Sequence, residues 1–205
     1  MVSRRREQYR ESLREDILSA ARHLFSIHGF EATSMRAIAS KVDCSPGILY
    51  HYFADKQDIM AMLVRETFAI LRNSLSAIMV DTDLPEARMR RGLRAYIDFG
   101  LAHPHHYNLL FMHPLSLEKS EKIIAVFHED GNQTFNCLRS ISGEVFAANL
   151  TRPEIRDPEE LAQSLWVAIH GLVSLQITSK GFPWIERSRL IDRLIDIQMK
   201  GILKS

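Results

Sequence analysis

Thr33–Phe53, TSMRAIASKVDCSPGILYHYF, decides how the rest of the chain is read. Thr33 and Ser34 are residue types that cap helix N-termini, and Ala37, Ile38 and Val42 follow at apolar helical spacing. Val42-Asp43-Cys44 is too short for a loop of its own and predicts a tight turn. Ser45 then caps a second helix with Pro46 at its first position, where the missing N–H has no intrahelical partner to lose. Ile48, Leu49 and Tyr52 are expected to pack inward, with Tyr50 and His51 near a surface. Two short helices joined by a turn make a helix-turn-helix, whose second helix can enter a DNA major groove.

Upstream, Ile17, Ala20, Ala21, Leu24 and Phe25 form one apolar stripe, which Gly29 closes as a C′ residue. Residues 1 to 11 are polar and predicted frayed, and Arg14 and Arg22 are predicted solvated. Ser12 and Glu15 have capping-box spacing that a longer helix would carry inside it. Downstream, Asp55 caps a fourth helix running to about Val80, with Ile59, Met62, Leu63, Ile70, Leu71, Leu75 and Ile78 as its apolar positions. Pro85 starts the next segment rather than continuing that helix. Further helices are predicted over Glu86–Ala102, over His105–Met112, and from about Leu117 to Leu150 with softening at Gly131 and Gly143. Asp157-Pro158-Glu159-Glu160 is a strong helix start, and that helix runs to Lys180. A last one, from about Ile185, carries Leu190, Ile191, Leu194, Ile195 and Ile202. No segment reads as a strand, so the expected class is all-α.

The chain has 205 residues, 46% apolar and 25% charged, which is ample for a buried core. Its net charge of +1 excludes a protein that coats nucleic acid through bulk charge, so any DNA binding needs a local patch. Arg4, Arg5, Arg6 and Arg10 are one candidate, soon balanced by Glu7, Glu11, Glu15 and Asp16. Cys44 and Cys137 are too few and too far apart for a disulfide framework, which suits a reducing cytoplasm. No apolar run approaches the length of a bilayer span, and no signal-peptide pattern follows the first arginines. The expectation is a soluble cytoplasmic protein. No Ser-His-Asp set, Gly-rich phosphate loop or paired catalytic carboxylate emerges, so no enzyme is expected.

Ala21, Leu24-Phe25, Gly29-Phe30, Thr33, Ile38-Ala39, Val42, Ser45, Gly47, Leu49-Tyr50, Tyr52-Phe53, Lys56 and Ile59 together carry a family resemblance. Over roughly the first third of the chain, the set resembles the N-terminal domain of the TetR (tetracycline-repressor) family of bacterial transcription regulators. Trp166-Val-Ala-Ile-His170-Gly171 looks like the tryptophan-histidine-glycine signature of one C-terminal class found behind TetR heads. The resemblance implies a three-helix DNA-binding head over residues 12–60. The long fourth helix would join it to a helical ligand-binding and dimerisation body over 61–205. It further implies a homodimer through the last two helices, a palindromic double-stranded operator, and release by a small, largely apolar inducer of unknown identity. No cofactor and no membrane are implied. An activator or ligand-independent regulator is the nearest alternative, and a helical small-molecule-binding protein the next.

Specific recognition needs phosphate contacts that fix register and a few side chains at base edges. Thr33 and Ser34 open the first helix of the motif, where a hydroxyl and free N–H groups can hold a phosphate. Arg36 can reach phosphate or a guanine edge. Ser45, Pro46, Gly47 and Ile48 open the recognition helix: Gly47 permits close approach, and Ile48 can meet a thymine methyl. Relatives often carry a small polar residue at that last position, so a hydrogen bond from there is not expected. Tyr50, His51 and Lys56 are assigned to the DNA backbone. For the inducer, Tyr96, Tyr107, Phe111, Met112, Phe127, Phe135, Trp166 and His170 are the candidate walls, although an aromatic in a helical bundle is as readily core. His103, His105, His106 and His113, with His128 further on, crowd around two His-Pro steps. No acidic residue or Cys stands among the first four, so no metal site is assigned.

Overall fold

The computed structural model describes residues 2–112 and 120–204. Among the described residues, nine α-helices and one π-helical turn follow in order. They are α1 Val2–His28, α2 Met35–Lys41, α3 Pro46–Tyr52, α4 Lys56–Met79, α5 Pro85–Ala102, α6 Pro104–Tyr107, the π turn Asn108–Met112, α7 Glu121–Ala147, α8 Pro158–Thr178 and α9 Arg187–Ile202. The one β-type pairing among the described residues is an isolated bridge between Thr151 and Leu203. The chain is all-α, as its periodicity predicts. His113, and the start of the seventh helix expected at Leu117, lie outside the described residues.

The fold divides into two compact units. The first combines Met1–Thr67 with His105–Glu129. Its core is the α1 stripe of Ile17, Leu18, Ala21 and Phe25, met by Met35, Ile38 and Ala39 of α2, Leu49 of α3 and Ile59, Leu63 and Val64 of α4. Gly29 ends α1 with φ +80°, a conformation that residues with a Cβ adopt only under strain. Tyr107, Leu109 and Leu110, from α6 and the π turn, are buried in the same unit.

Three expectations are corrected in this unit. α1 begins at Val2, not near residue 12. Residues 2–11 hold no Pro or Gly, and Glu7–Arg10 and Glu11–Arg14 are i,i+3 pairs that support a solvated helix. The apolar stripe used to place the start simply ends before the helix does. Arg22 is not solvated but pairs with Glu66 at 3.1 Å, and Arg14 lies 5.7 Å from the Phe53 ring centroid. The short helix expected over His105–Met112 is one α turn followed by a π turn.

The second unit combines Phe68–Pro104 with Asp130–Ser205. In it α5 packs on α8 and α9, which also pack on each other. Met89, Leu93 and Ile97, Leu161, Leu165, Ile169 and Val173, and Ile191, Ile195 and Met199 form the shared core. Asp157 starts α8 as predicted, its Oδ1 accepting the Glu159 N–H at 2.9 Å. α7 is unbroken at Gly131, where an added Cβ would stand 3.3 Å from the Phe68 ring. Arg88 is buried and donates to the carbonyls of Met79 and Asp83, each at 3.2 Å, and to the Glu144 carboxylate. Among the described helices α8 is long and apolar enough to cross a bilayer by length and composition, against the sequence expectation that none would be. Its inner face, Leu161, Ala162, Leu165, Ile169 and Val173, is core of this unit.

Candidate functional site

The motif is built by local chemistry. Ser34 caps α2, its Oγ accepting the Ala37 N–H at 3.1 Å. At the far end Asp43 adopts φ 53°, a left-handed conformation that a short polar side chain tolerates, and the Cys44 N–H reaches the Ala39 carbonyl at 3.0 Å. Burial, and then the Asp43 carboxylate, push the Cys44 thiol up, so it stays protonated at neutral pH. Ser45 caps α3 by accepting the Ile48 N–H at 3.3 Å, with Pro46 at the first helical position. Of the α3 residues, all described, only Leu49 is buried.

One exposed set results. Ser34, Arg36, Ser45, Pro46, Gly47 and His51 are all exposed, with Ile48 at 41% and Tyr50 at 54%. Ile48 was expected to pack inward, but Leu49 takes the single inward position and leaves its neighbour outside. Two further residues stand differently from expectation. Thr33 is buried at 3% exposure, and its hydroxyl donates to the Gly29 carbonyl at 2.8 Å, so Ser34 rather than Thr33 is the cap. Lys56 is half-buried: its Nζ donates to the carbonyls of Phe30 at 2.7 Å and Glu31 at 3.4 Å, and lies 4.3 Å from the Phe30 ring centroid.

The eight candidate ligand residues fall into both units. Tyr107, Phe111, Met112 and Phe127 belong to the first. Tyr107 is fully buried with the Phe111 ring 4.9 Å away, and Phe127 sits 6.2 Å from the His128 ring. Tyr96, Phe135, Trp166 and His170 belong to the second, where they form one cluster. The Trp166 indole N–H donates to the Tyr96 hydroxyl at 3.1 Å, and that hydroxyl lies 3.1 Å from His170 Nδ1. The Tyr96 hydroxyl thus stands between the indole N–H and the imidazole. The Phe135 and His170 rings each lie 5.6 Å from Trp166, and Arg139 lies 4.6 Å from the Phe135 centroid. Arg139 also makes a two-pronged pair with Glu159, at 2.7 and 3.0 Å. Its hydrogen bonds, joined by that of Gln163, hold the Glu159 carboxyl below the usual range. Sequence reasoning missed Arg139 and read Glu159 only as part of a helix start; no spacing rule joins residues on two different helices.

Burial pushes the His170 imidazole below its ordinary value of about 6.5. As pH falls, the unfolded chain takes up this proton before the folded one. The contribution to stability is therefore complete above about pH 6.5 and is lost as pH drops through the folded value. Between pH 7.5 and 5.5 the denaturant midpoint should fall, and His170→Asn should remove that part of the pH dependence.

The other histidines are dispersed. His105 Nδ1 is 2.8 Å from Ser26 Oγ, His106 Nδ1 is 3.0 Å from Thr67 Oγ1, and His103 lies beside Phe99. Among the described residues no three His, Cys, Asp or Glu side chains come together as a metal cage.

Two family models match this chain. Residues 17–63 match the bacterial regulatory proteins of the tetR family, and residues 89–198 match the tetracyclin repressor-like C-terminal domain. The chain belongs to the TetR family. The N-terminal model describes bacterial regulatory proteins, and the curated relatives are transcriptional regulators. Among curated relatives, the HTH-type transcriptional repressor AcnR of Corynebacterium diphtheriae is 34% identical over 73 residues, 33% of this chain and 38% of AcnR. The HTH-type transcriptional repressor NicS of Pseudomonas putida is 25% identical over 150 residues, 73% of this chain and 65% of NicS. The chain thus spans less than two thirds of either relative. The ketosteroid transcriptional regulator KstR2 of Mycobacterium tuberculosis shares the fold, with a TM-score of 0.77, 20% identity, and 94% of this chain and 95% of that one covered.

Proposed function

We propose that this TetR-family chain is a cytoplasmic homodimeric repressor, released from a palindromic operator when a small, largely apolar ligand binds its body. Residues 12–60 are assigned to the reading head and 61–205 to the body, although His105–Glu129 fall in the compact unit of the helix-turn-helix. The observation that carries the reading is the exposed set on α2 and α3. Ser34, Arg36, Ser45, Pro46, Gly47, Ile48, Tyr50 and His51 are left to solvent by a helix that buries one residue. Exposed Ile48 and Tyr50 are apolar surface with no use inside the chain. A thymine methyl and the sugar-phosphate backbone give them one.

The sign of regulation is supported by the named repressors AcnR and NicS. Dimerisation through the last two helices is supported by exposed apolar residues on both, Val167 and Leu175 of α8 and Ile197 of α9. The ligand reading rests on the aromatic cluster of Tyr96, Phe135, Trp166 and His170. Trp166, His170 and Gly171 also carry the tryptophan-histidine-glycine assignment. Release requires the ligand to favour the released geometry over the bound one.

Selection of bound fragments from a randomised DNA library, at near-physiological salt, tests the reading. One enriched palindrome is the expected result; no enrichment by a folded dimer would leave the helical small-molecule-binding alternative. Gly47→Ala separates recognition from folding. A Cβ there would meet Ser45 Oγ at an ordinary 3.8 Å, and alanine favours a helix by up to about 1 kcal/mol over glycine. Thermal stability should hold or rise while affinity for the selected operator falls.

A further inference from the structure

The N-terminal turns of α1 project beyond the core of their unit, and we infer that Arg6 and Arg10 reach DNA phosphates beside the groove that α3 reads. The inference rests on the DNA-binding reading above and extends it to a further element of the head.

Arg6 through Ser12 are all exposed, so this part of α1 adds nothing to the packing of its unit. It is nevertheless one helix from Val2, continuous with the buried stripe that begins at Ile17. Residues four apart on a helix differ by about 40° in direction, which sets Arg6, Arg10 and Arg14 on one stripe. Residues seven apart differ by only about 20°. Arg10 therefore stands on the line of Ile17, and Arg14 on the line of Ala21, both fully buried. Beyond the core, the arginines continue the face by which α1 meets the rest of the head.

Arg14 shows what lies on that side. Its guanidinium is 5.7 Å from the ring centroid of Phe53, the buried residue that ends α3. Towards its other end α1 meets α6, where Ser26 Oγ is 2.8 Å from His105 Nδ1. The N-terminal turns thus run outward past the last turn of α3, which carries exposed Tyr50 and His51. At a rise of about 1.5 Å per residue, Arg10 stands about 6 Å and Arg6 about 12 Å beyond Arg14.

Charge selects the partner. Arginine grips a phosphate through a planar fork of donors, and a net charge of +1 leaves the chain no bulk attraction for nucleic acid. Val2 and Tyr9 are the only apolar residues from 2 to 11, so the helix has no face to lay into a lipid surface. Glu7, three residues before Arg10, borders the stripe and competes with a phosphate for that arginine. Glu11 and Glu15 turn away from it.

Salt dependence tests the assignment. Affinity for the selected palindrome would be measured from low to high salt for the wild type and for Arg6→Gln/Arg10→Gln. Glutamine keeps the helix propensity and removes the charges, so the melting temperature should not move. Each neutralised phosphate contributes about 0.9 to the log–log slope of affinity against salt. Two contacts in each protomer of a dimer make four, so the slope should become shallower by about 3.6. Binding should weaken most at low salt, the preferred palindrome should stay the same, and Glu7→Gln should bind more tightly. Arg187→Gln/Arg189→Gln removes the same charge from α9 and should keep the wild-type slope. An equal change of slope in that control would overturn the assignment in favour of a bulk charge effect. A wild-type slope in Arg6→Gln/Arg10→Gln, with affinity reduced or unchanged, would overturn it outright and leave the DNA-binding reading standing. A wild-type protein that enriched no palindrome would overturn both.

Discussion

Leu49→Ala should abolish operator binding although Leu49 faces away from the proposed DNA surface. It is fully buried and is the one buried residue of α3. A seven-residue helix has almost no stability in water, so its order comes from packing and from its caps. Truncating a buried leucine costs about 2–5 kcal/mol, and the upper part of that range applies where neighbours cannot close the gap. Phe53 and the α2 residues Ile38 and Ala39 are themselves buried, which limits relaxation. The unit should unfold at lower denaturant, and the recognition helix should lose its fixed orientation before that point. Leu49→Met, which conserves volume, should cost less than about 1.5 kcal/mol and retain binding. Unfolding curves beside operator titrations would check both; near-normal affinity for Leu49→Ala would contradict the single-anchor account.

Arg88→Met should destabilise the other unit by about 2–3 kcal/mol. Buried ion pairs are often replaceable by apolar residues without loss, which would argue for a small effect. Here the carboxylate is the lesser partner. The Glu144 side chain is 40% exposed and can rehydrate once its arginine is gone. The Met79 and Asp83 carbonyls lie at the two ends of the α4–α5 connection and lose the donor that joins them. Methionine fills the volume of the stem and supplies no donor. Glu144→Gln leaves Arg88 on both carbonyls and should cost distinctly less. A smaller loss for Arg88→Met than for Glu144→Gln would show that the ion pair, and not the carbonyl bridge, carries the stability.

Much of this architecture is legible in the sequence because it is set by neighbours in the chain. Ser45 before Pro46 and Asp157 before Pro158 announce helix starts, and both serve as caps with the expected side-chain bonds. Gly29 announces the end of α1, and its φ is positive. What could not be read is decided by how side chains turn and pack in the folded chain. Thr33 and Ser34 are adjacent and chemically alike, and only the Gly29 carbonyl determines which turns inward. Ile48 and Leu49 are adjacent apolar residues on a helix too short for periodicity to rank them. Lys56 has the position of a phosphate contact, and its carbonyl partners lie 25 and 26 residues upstream. Among the aromatic candidates, Tyr96, Phe135, Trp166 and His170 come from three helices, and composition cannot separate them from Tyr107, which is core.

The first unit is not a continuous piece of chain, and this has a consequence for its synthesis. Residues up to Thr67 leave the ribosome well before His105–Glu129, which supply buried Tyr107, Leu109, Leu110 and Ile123 to the same unit. At roughly 5–20 residues per second, completion waits several seconds after the helix-turn-helix has emerged. During that interval the nascent head lacks part of its apolar cover, so its burden on chaperones is set by translation speed through the intervening stretch. Slow translation between the emergence of Thr67 and that of Glu129 would lengthen that exposure.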